Sequence, residues 1–249
     1  MAALIGAYSG YVALAFLPPL AWLLFYLHED RHPEPKHLIL ITFLAGILSA
    51  LFAAALELGF FAVPPVFRGL FYVIYPAFIA SPVVLFGGIA LIEEYLKYVA
   101  VKIAVLTRPE FDEPIDAMIY MVTAALGFAA MENVLFLIPV FEQSFLSGFQ
   151  LTTQRFLGAN FLHTLSSAIV GYTLARHHFS PWRKHAVAVG VIIASILHTI
   201  FNYLIIIKDA IPVVLTLLIL LITLMAVAVF VEFERLKKKS QIGTNNYTD

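Results

Sequence analysis

Seven titratable side chains stand inside long apolar stretches of this sequence: Glu57, Glu93, Glu94, Lys97, Glu132, His163 and His198. Asn133, Asn160 and Asn202 lie beside them. A carboxylate held in a low-dielectric pocket can act as a general base near neutral pH. Imidazole and Asn amide N–H groups can stabilise a developing oxyanion. Two imidazoles and a carboxylate also make up a three-ligand catalytic zinc set. Each such group costs roughly 2.5–3.5 kcal/mol at the centre of a membrane span, so each needs a reason to be there.

Helical phase and depth give that reason. Glu93 and Lys97 stand at i and i+4 and can pair, while Glu94 points about 100° away toward another neighbour. His198 and Asn202 share the same spacing, and Glu132 lies one turn beyond Phe128. At ~1.5 Å per residue, Glu94 lies about 18 Å along its helix from Pro82, Glu132 about 12 Å from Val140 and Glu57 about 9 Å from Val63. On the same scale His163 lies about 10 Å from Phe156 and His198 about 14 Å from Ile207. Groups from different helices thus fall in one layer, as a single shared site requires. On its own, Lys97 reads as a structural partner of Glu93. Glu57 reads as an isolated interhelical or snorkelling group, and a lone intramembrane His as an interhelical contact.

The elements that must hold these groups are spanning helices. The chain has 249 residues, 61% of them hydrophobic and 12% charged. A soluble domain carries about a quarter charged residues, so this apolar surface needs lipid. Apolar runs of about 20 residues read as spans. They occur at 4–27, 38–63, 82–106, 115–140, 156–175, 186–207 and 211–233. The first is too long for the apolar core of a signal peptide. The stretch 64–81 holds Arg68 and several prolines, and reads as an interfacial or re-entrant helix or a short eighth span. The expected fold is therefore an all-α polytopic membrane protein, a bundle of seven to eight transmembrane helices in one domain over 1–249. Its motif-bearing core covers about 82–207, and 234–249 form a cytoplasmic basic tail.

Short-loop charges set an orientation. One side receives Arg31, Lys36, Lys102, Arg108, Arg176, Arg183, Lys184 and the run from Arg235 to Lys239, and the other only Arg68, Arg155 and Lys208. That places the N-terminus outside, the C-terminus in the cytoplasm and the polar layer in the outer half of a cell membrane. Lys237–Lys239 then act as a cytoplasmic anchor near anionic lipid. A net charge of −1 argues against a nucleic-acid partner. The absence of cysteine excludes disulfides, iron–sulfur clusters and Cys-ligated zinc.

Glu93-Glu94-Tyr95-Leu96-Lys97, read as EExxK, resembles the first motif of the PrsW family of membrane proteases. Gly127-Phe128 with Glu132-Asn133, then His163, then His198 with Asn202, resemble its later motifs in order. The resemblance runs from about 82 to 203 and extends to the CAAX prenyl protease and bacteriocin-processing (CPBP/Abi) superfamily, with EExxxR, FxxxH and HxxxN/B patterns. Here Lys97 replaces the Arg, Glu132 stands where FxxxH has His, and Ala159 stands where that motif would place Phe before His163.

The resemblance implies hydrolysis of a peptide bond of a membrane-anchored substrate, such as an anti-sigma factor, by a Glu-activated water without a cofactor. In that scheme Glu93 is the general base, Glu94 the second carboxylate and His163 its orienting or proton-sharing partner. His198 and Asn202 hold the oxyanion, and Lys97, Glu132 and Asn133 support them. The alternatives are a zinc-dependent membrane hydrolase ligated by Glu93, His163 and His198, an ion-coupled transporter, and a non-catalytic scaffold. No HExxH is present, so zinc ligands would come from separate helices. No inverted repeat or paired broken span supports a transporter.

Overall fold

The computed structural model describes residues 2–29, 33–61, 81–177 and 180–245. Among them it forms eight helices and no strand: α1 (Ala2–Glu29), α2 (Lys36–Phe61), α3 (Pro82–Ala104), α4 (Asp116–Gln143), α5 (Phe145–Leu157), α6 (Ala159–Arg176), α7 (Arg183–Ile207) and α8 (Val213–Asn245). The stretch from residue 64 to 80, with Arg68, and the loop residue Arg31 lie outside the described residues.

Five helical segments are long and apolar enough to cross a membrane: Gly6–His28, Lys36–Gly59, Asp116–Gln143, Arg183–Ile207 and Val213–Lys238. The protein is a polytopic α-helical membrane protein. Helices α3 and α6 occupy the other two expected spans but fall short of that apolarity, α3 through Glu93, Glu94 and Lys97 and α6 through Asn160, His163, Thr164, Ser166 and Ser167. Helix α3 packs between α2 and α7 and leaves Leu91, Tyr95 and Ile103 exposed, and α6 lies inside, between α4 and α7. Leu40, Phe52, Ile192, Ile196, Leu220 and Phe230 on α2, α7 and α8 are exposed, as lipid-facing side chains are.

Helix α4 is the axis of the bundle. Every residue from Asp116 to Ala130 is buried. Helix α2 lies against it without side chains between: a Cβ on Gly46 would stand 2.1 Å from the Ala124 carbonyl oxygen, and one on Gly127 2.0 Å from that of Phe43. Small residues give this kind of contact where lipid offers no hydrophobic drive for helix association. Gly171 plays the same part between α6 and α4, where a Cβ would stand 2.7 Å from the Ala117 oxygen. With α2 and α6 pressed onto α4, and α3 set between α2 and α7, side chains from α3, α4, α6 and α7 reach one small volume.

The expected span 156–175 starts late. Phe156 and Leu157 close α5, and the chain turns at Gly158 (φ −105°, ψ −90°) before α6 begins. A Cβ at Gly158 would approach the Gln154 oxygen to 2.9 Å. The sequence reading missed α5, whose 13 residues alternate Ser, Gln and Thr with Phe and Leu. It folds back onto the end of α4, where Gly148 meets the Phe141 ring, and leaves Phe145, Leu146 and Phe149 exposed.

Candidate active site

Glu93, Glu94 and Lys97 project from the middle of α3, and all three are buried, Glu94 and Lys97 completely. Lys97 lies one turn from both carboxylates, and its Nζ is nearer Glu94 Oε1 (2.8 Å) than Glu93 Oε2 (3.6 Å). The expected preference for Glu93 is therefore reversed. Spacings of three and four both share a helix face, and the choice falls to α6: Lys97 Nζ also donates to His163 Nδ1 at 2.7 Å. Phe128 of α4 lies beneath, its ring centroid 4.5 Å from Lys97 Nζ and 5.5 Å from the His163 ring.

Glu94 is fully occupied. Ser166 and Ser167 of α6 donate to Oε1 and Oε2 at 2.9 and 3.2 Å, and His198 Nδ1 lies 3.0 Å from Oε1. Its imidazole partner is thus His198, not His163 as expected. Since an ionised carboxylate only accepts, His198 carries its proton on Nδ1 and leaves Nε2 as a bare lone pair. That nitrogen faces Glu93 Oε2 at 3.8 Å.

His163 turns the other way, toward α4. Its Nε2 lies 2.7 Å from Glu132 Oε2, and Nδ1, the acceptor from Lys97, lies 3.9 Å from Glu93 Oε2. Glu132 also receives Arg155 Nη2 from α5 at 2.8 Å. Arg155 Nε donates to Asn133, whose amide donates to the Ala15 carbonyl of α1 at 3.0 Å. Glu132 therefore orients His163, and Asn133 ties α1 and α5 to the second half of α4. Arg155, read from sequence only as a loop charge, belongs to this network.

Glu93, Glu94, His163 and His198 come together as expected, with the two imidazole rings 5.0 Å apart, edge to face. Glu93 differs from its neighbours: its Oε2 is buried and has no hydrogen-bond partner. Ligand-capable atoms of Glu93, His163 and His198 all lie within 4.8 Å of one another. Tetrahedral zinc with ligands at 2.0–2.1 Å separates its donors by about 3.3 Å, so closing the trio on an ion takes an inward movement together with withdrawal of Lys97 Nζ from His163 Nδ1. Each imidazole also gives its other nitrogen to a carboxylate, the arrangement that fixes metal-binding histidines.

Asn202 is half-buried and makes none of the cluster's hydrogen bonds. Glu57 is less isolated than its sequence suggests. Its Oε1 is buried without a partner, and its carboxylate interacts electrostatically with Glu132, Lys97 and Glu93.

A family model described as PrsW family intramembrane metalloprotease matches residues 34–231. Protease PrsW of Geobacillus kaustophilus (strain HTA426) is 28% identical over 187 residues, 74% of each chain. Protease PrsW of Bacillus subtilis (strain 168) is 27% identical over 182 residues, 72% of this chain and 75% of its own. Protease PrsW of Clostridioides difficile (strain 630) is 26% identical over 199 residues, 78% and 79% of the two chains. No solved structure matches. The matches carry the PrsW resemblance and give no support to the wider grouping with CAAX prenyl and bacteriocin-processing proteases, which is dropped.

Proposed function

The chain belongs to the PrsW family of intramembrane proteases, and we propose that it cuts its substrate at Glu93, His163 and His198, which hold a divalent metal ion such as zinc. One observation carries this reading: the buried, unbonded Glu93 Oε2 stands 3.8 and 3.9 Å from nitrogens of the two imidazoles. A carboxylate and two imidazoles are the donor set of a three-ligand catalytic zinc site. Such an ion supplies Lewis-acid chemistry, polarising a carbonyl and making water acidic enough to attack near neutral pH.

The chain's own groups prepare that chemistry. Glu94 fixes His198 in the tautomer that leaves Nε2 free, and the Ser166 and Ser167 hydroxyls fix Glu94. Glu132 holds the proton of His163 on Nε2 and leaves Nδ1 as the lone pair that now accepts from Lys97, and Arg155 balances the Glu132 charge. Burial excludes bulk water from Glu93, Glu94, His163 and His198, which strengthens the electrostatic contacts among them.

The metal-free scheme survives as a second reading because of Lys97. Its ammonium already stands among Glu94, His163 and Glu93 at 2.8, 2.7 and 3.6 Å, where it balances the carboxylates without an ion. Glu93 would then take the proton of the attacking water through its free oxygen, and His198 would donate to the oxyanion only in its doubly protonated form, with a second proton on Nε2. A transporter finds no support beside the family match.

The substrate class is a membrane-anchored protein, such as an anti-sigma factor, as the family resemblance implies. The basic-loop asymmetry supports an N-terminus outside, a cytoplasmic C-terminus and a site in the outer half of the cell membrane. The test is cleavage of single-span peptides in proteoliposomes by wild type, by Glu93→Gln and by wild type after chelation. The metal reading expects cleavage to stop on chelation and return with added zinc. Wild-type cleavage that persists in chelator transfers the role to Glu93 alone. Full cleavage by Glu93→Gln removes this cluster from the reaction.

A further inference from the structure

Among the described residues, the buried side-chain atoms without a hydrogen-bond partner are Thr42 Oγ1, Glu57 Oε1, Glu93 Oε2, Glu110 Oε2, and both Asn160 Oδ1 and Nδ2. Asn160 stands apart. It is completely buried, and neither end of its carboxamide is bonded, so the vacancy does not depend on which way the amide is turned. Buried polar groups in folded proteins are nearly always paired, and an exception asks for an explanation.

Its place in the fold supplies one. On α6, Asn160, His163, Thr164 and Ser167 occupy positions i, i+3, i+4 and i+7, one continuous face. His163 and Ser167 on that face bond Glu132 and Glu94. Thr164 is taken up by the Asn160 backbone carbonyl at 2.8 Å and leaves the side-chain amide alone. The free amide therefore sits one turn from His163, toward the α6 N-terminus, where Gly158 and Phe201 of α7 come together.

A carboxamide presents one donor and one acceptor side by side. A residue in extended conformation presents its own N–H and C=O on one side, as each residue does toward its partner in a hydrogen-bonded antiparallel pair. In a helix the same two groups point in opposite directions and are already engaged.

Resting on the protease reading above, we propose that Asn160 is a substrate-binding residue. Its Nδ2–H donates to the C=O, and its Oδ1 accepts from the N–H, of one extended substrate residue beside the bond that is cut. The site thereby selects substrate segments that have left the helical conformation, the state in which a peptide carbonyl is open to attack.

The test uses the full chain in proteoliposomes, with a synthetic single-span peptide that wild type cleaves. Asn160→Leu keeps the shape and removes both polar ends. Replacing an unpaired buried amide by an apolar group is neutral or stabilising, so thermal stability and metal content should hold or rise. Loss of two hydrogen bonds to substrate should lower kcat/KM by about 10- to 100-fold, chiefly through KM. A peptide series with one N–H at a time replaced by an ester oxygen should reveal one position near the cut that costs wild type about tenfold and Asn160→Leu nothing.

Wild-type kcat/KM in Asn160→Leu, or ester penalties equal in both proteins, would overturn the proposal and leave Asn160 as the holder of an internal water only. Should Asn160→Leu not fold, Asn160→Ser takes its place in the same cycle, and an ester series without any sensitive position on wild type overturns the proposal by itself. Glu93→Gln run in parallel separates the two inferences. A dead Glu93→Gln beside a fully active Asn160→Leu removes only Asn160, whereas a fully active Glu93→Gln removes the site reading on which it rests.

Discussion

Helix α4 carries one carboxylate at its start and another just past its middle, and the two are closed in different ways. Asp116 at its start accepts from the backbone N–H groups of Asp112 and Glu113 at 3.0 and 2.8 Å, and one turn on Tyr120 donates to Glu34 at 2.5 Å. Glu132, about four turns on, is met by side chains, Arg155 and His163, drawn from two other helices. Backbone amides in a turn satisfy an acceptor permanently and fix where a helix begins. Side chains from separate helices satisfy it while leaving neighbouring atoms, here Glu93 Oε2 and the Asn160 amide, without partners. The Asp116 region stabilises the fold, and the Glu132 region holds groups in reserve for a reaction.

Substitutions should separate the two regions. The largest effect is expected for Glu93→Gln, a drop in cleavage of about 10²–10⁴-fold with an unchanged melting temperature in detergent. His198→Ala should cost at least about 10²-fold and strip bound metal, again without unfolding, as elemental analysis beside circular dichroism would register. Asp116→Ala should do the reverse. Two backbone N–H groups lose their acceptor, stability falls by about 1–3 kcal/mol, and activity per folded molecule stays at the wild-type level. Tyr120→Phe, the mildest, should lower stability by about 1 kcal/mol with no kinetic effect. Should Asp116→Ala abolish cleavage in folded protein, or Glu93→Gln unfold the chain, the division between the regions fails.

Much of this was legible in the sequence, for physical reasons. A charge inside a span is costly enough to need a purpose, and helix rise alone placed Glu93, Glu94, Glu132, His163 and His198 in one layer. Pairing was not legible. Which imidazole meets which carboxylate depends on how α6 and α7 are rotated about α3, and the spacing of Glu93, Glu94 and Lys97 leaves both pairs open. Helix α5 escaped because its apolar residues are too few and too interrupted for a span. Asn160 was legible only as a polar neighbour of the titratable groups, and only the folded chain leaves both ends of its amide buried without a partner. Asn202 shows the opposite error, since its spacing from His198 suggested a partnership that the geometry does not make.

Metal content measured together with activity tests the site most directly. Wild-type protein purified without chelator should hold about one divalent ion per chain. His163→Ala and His198→Ala should hold almost none, and cleavage should rise in proportion to zinc returned to chelator-treated wild type. Metal-free wild type that still cleaves at full rate would contradict the ligand role of Glu93, His163 and His198, and would leave Glu93 as a base balanced by Lys97.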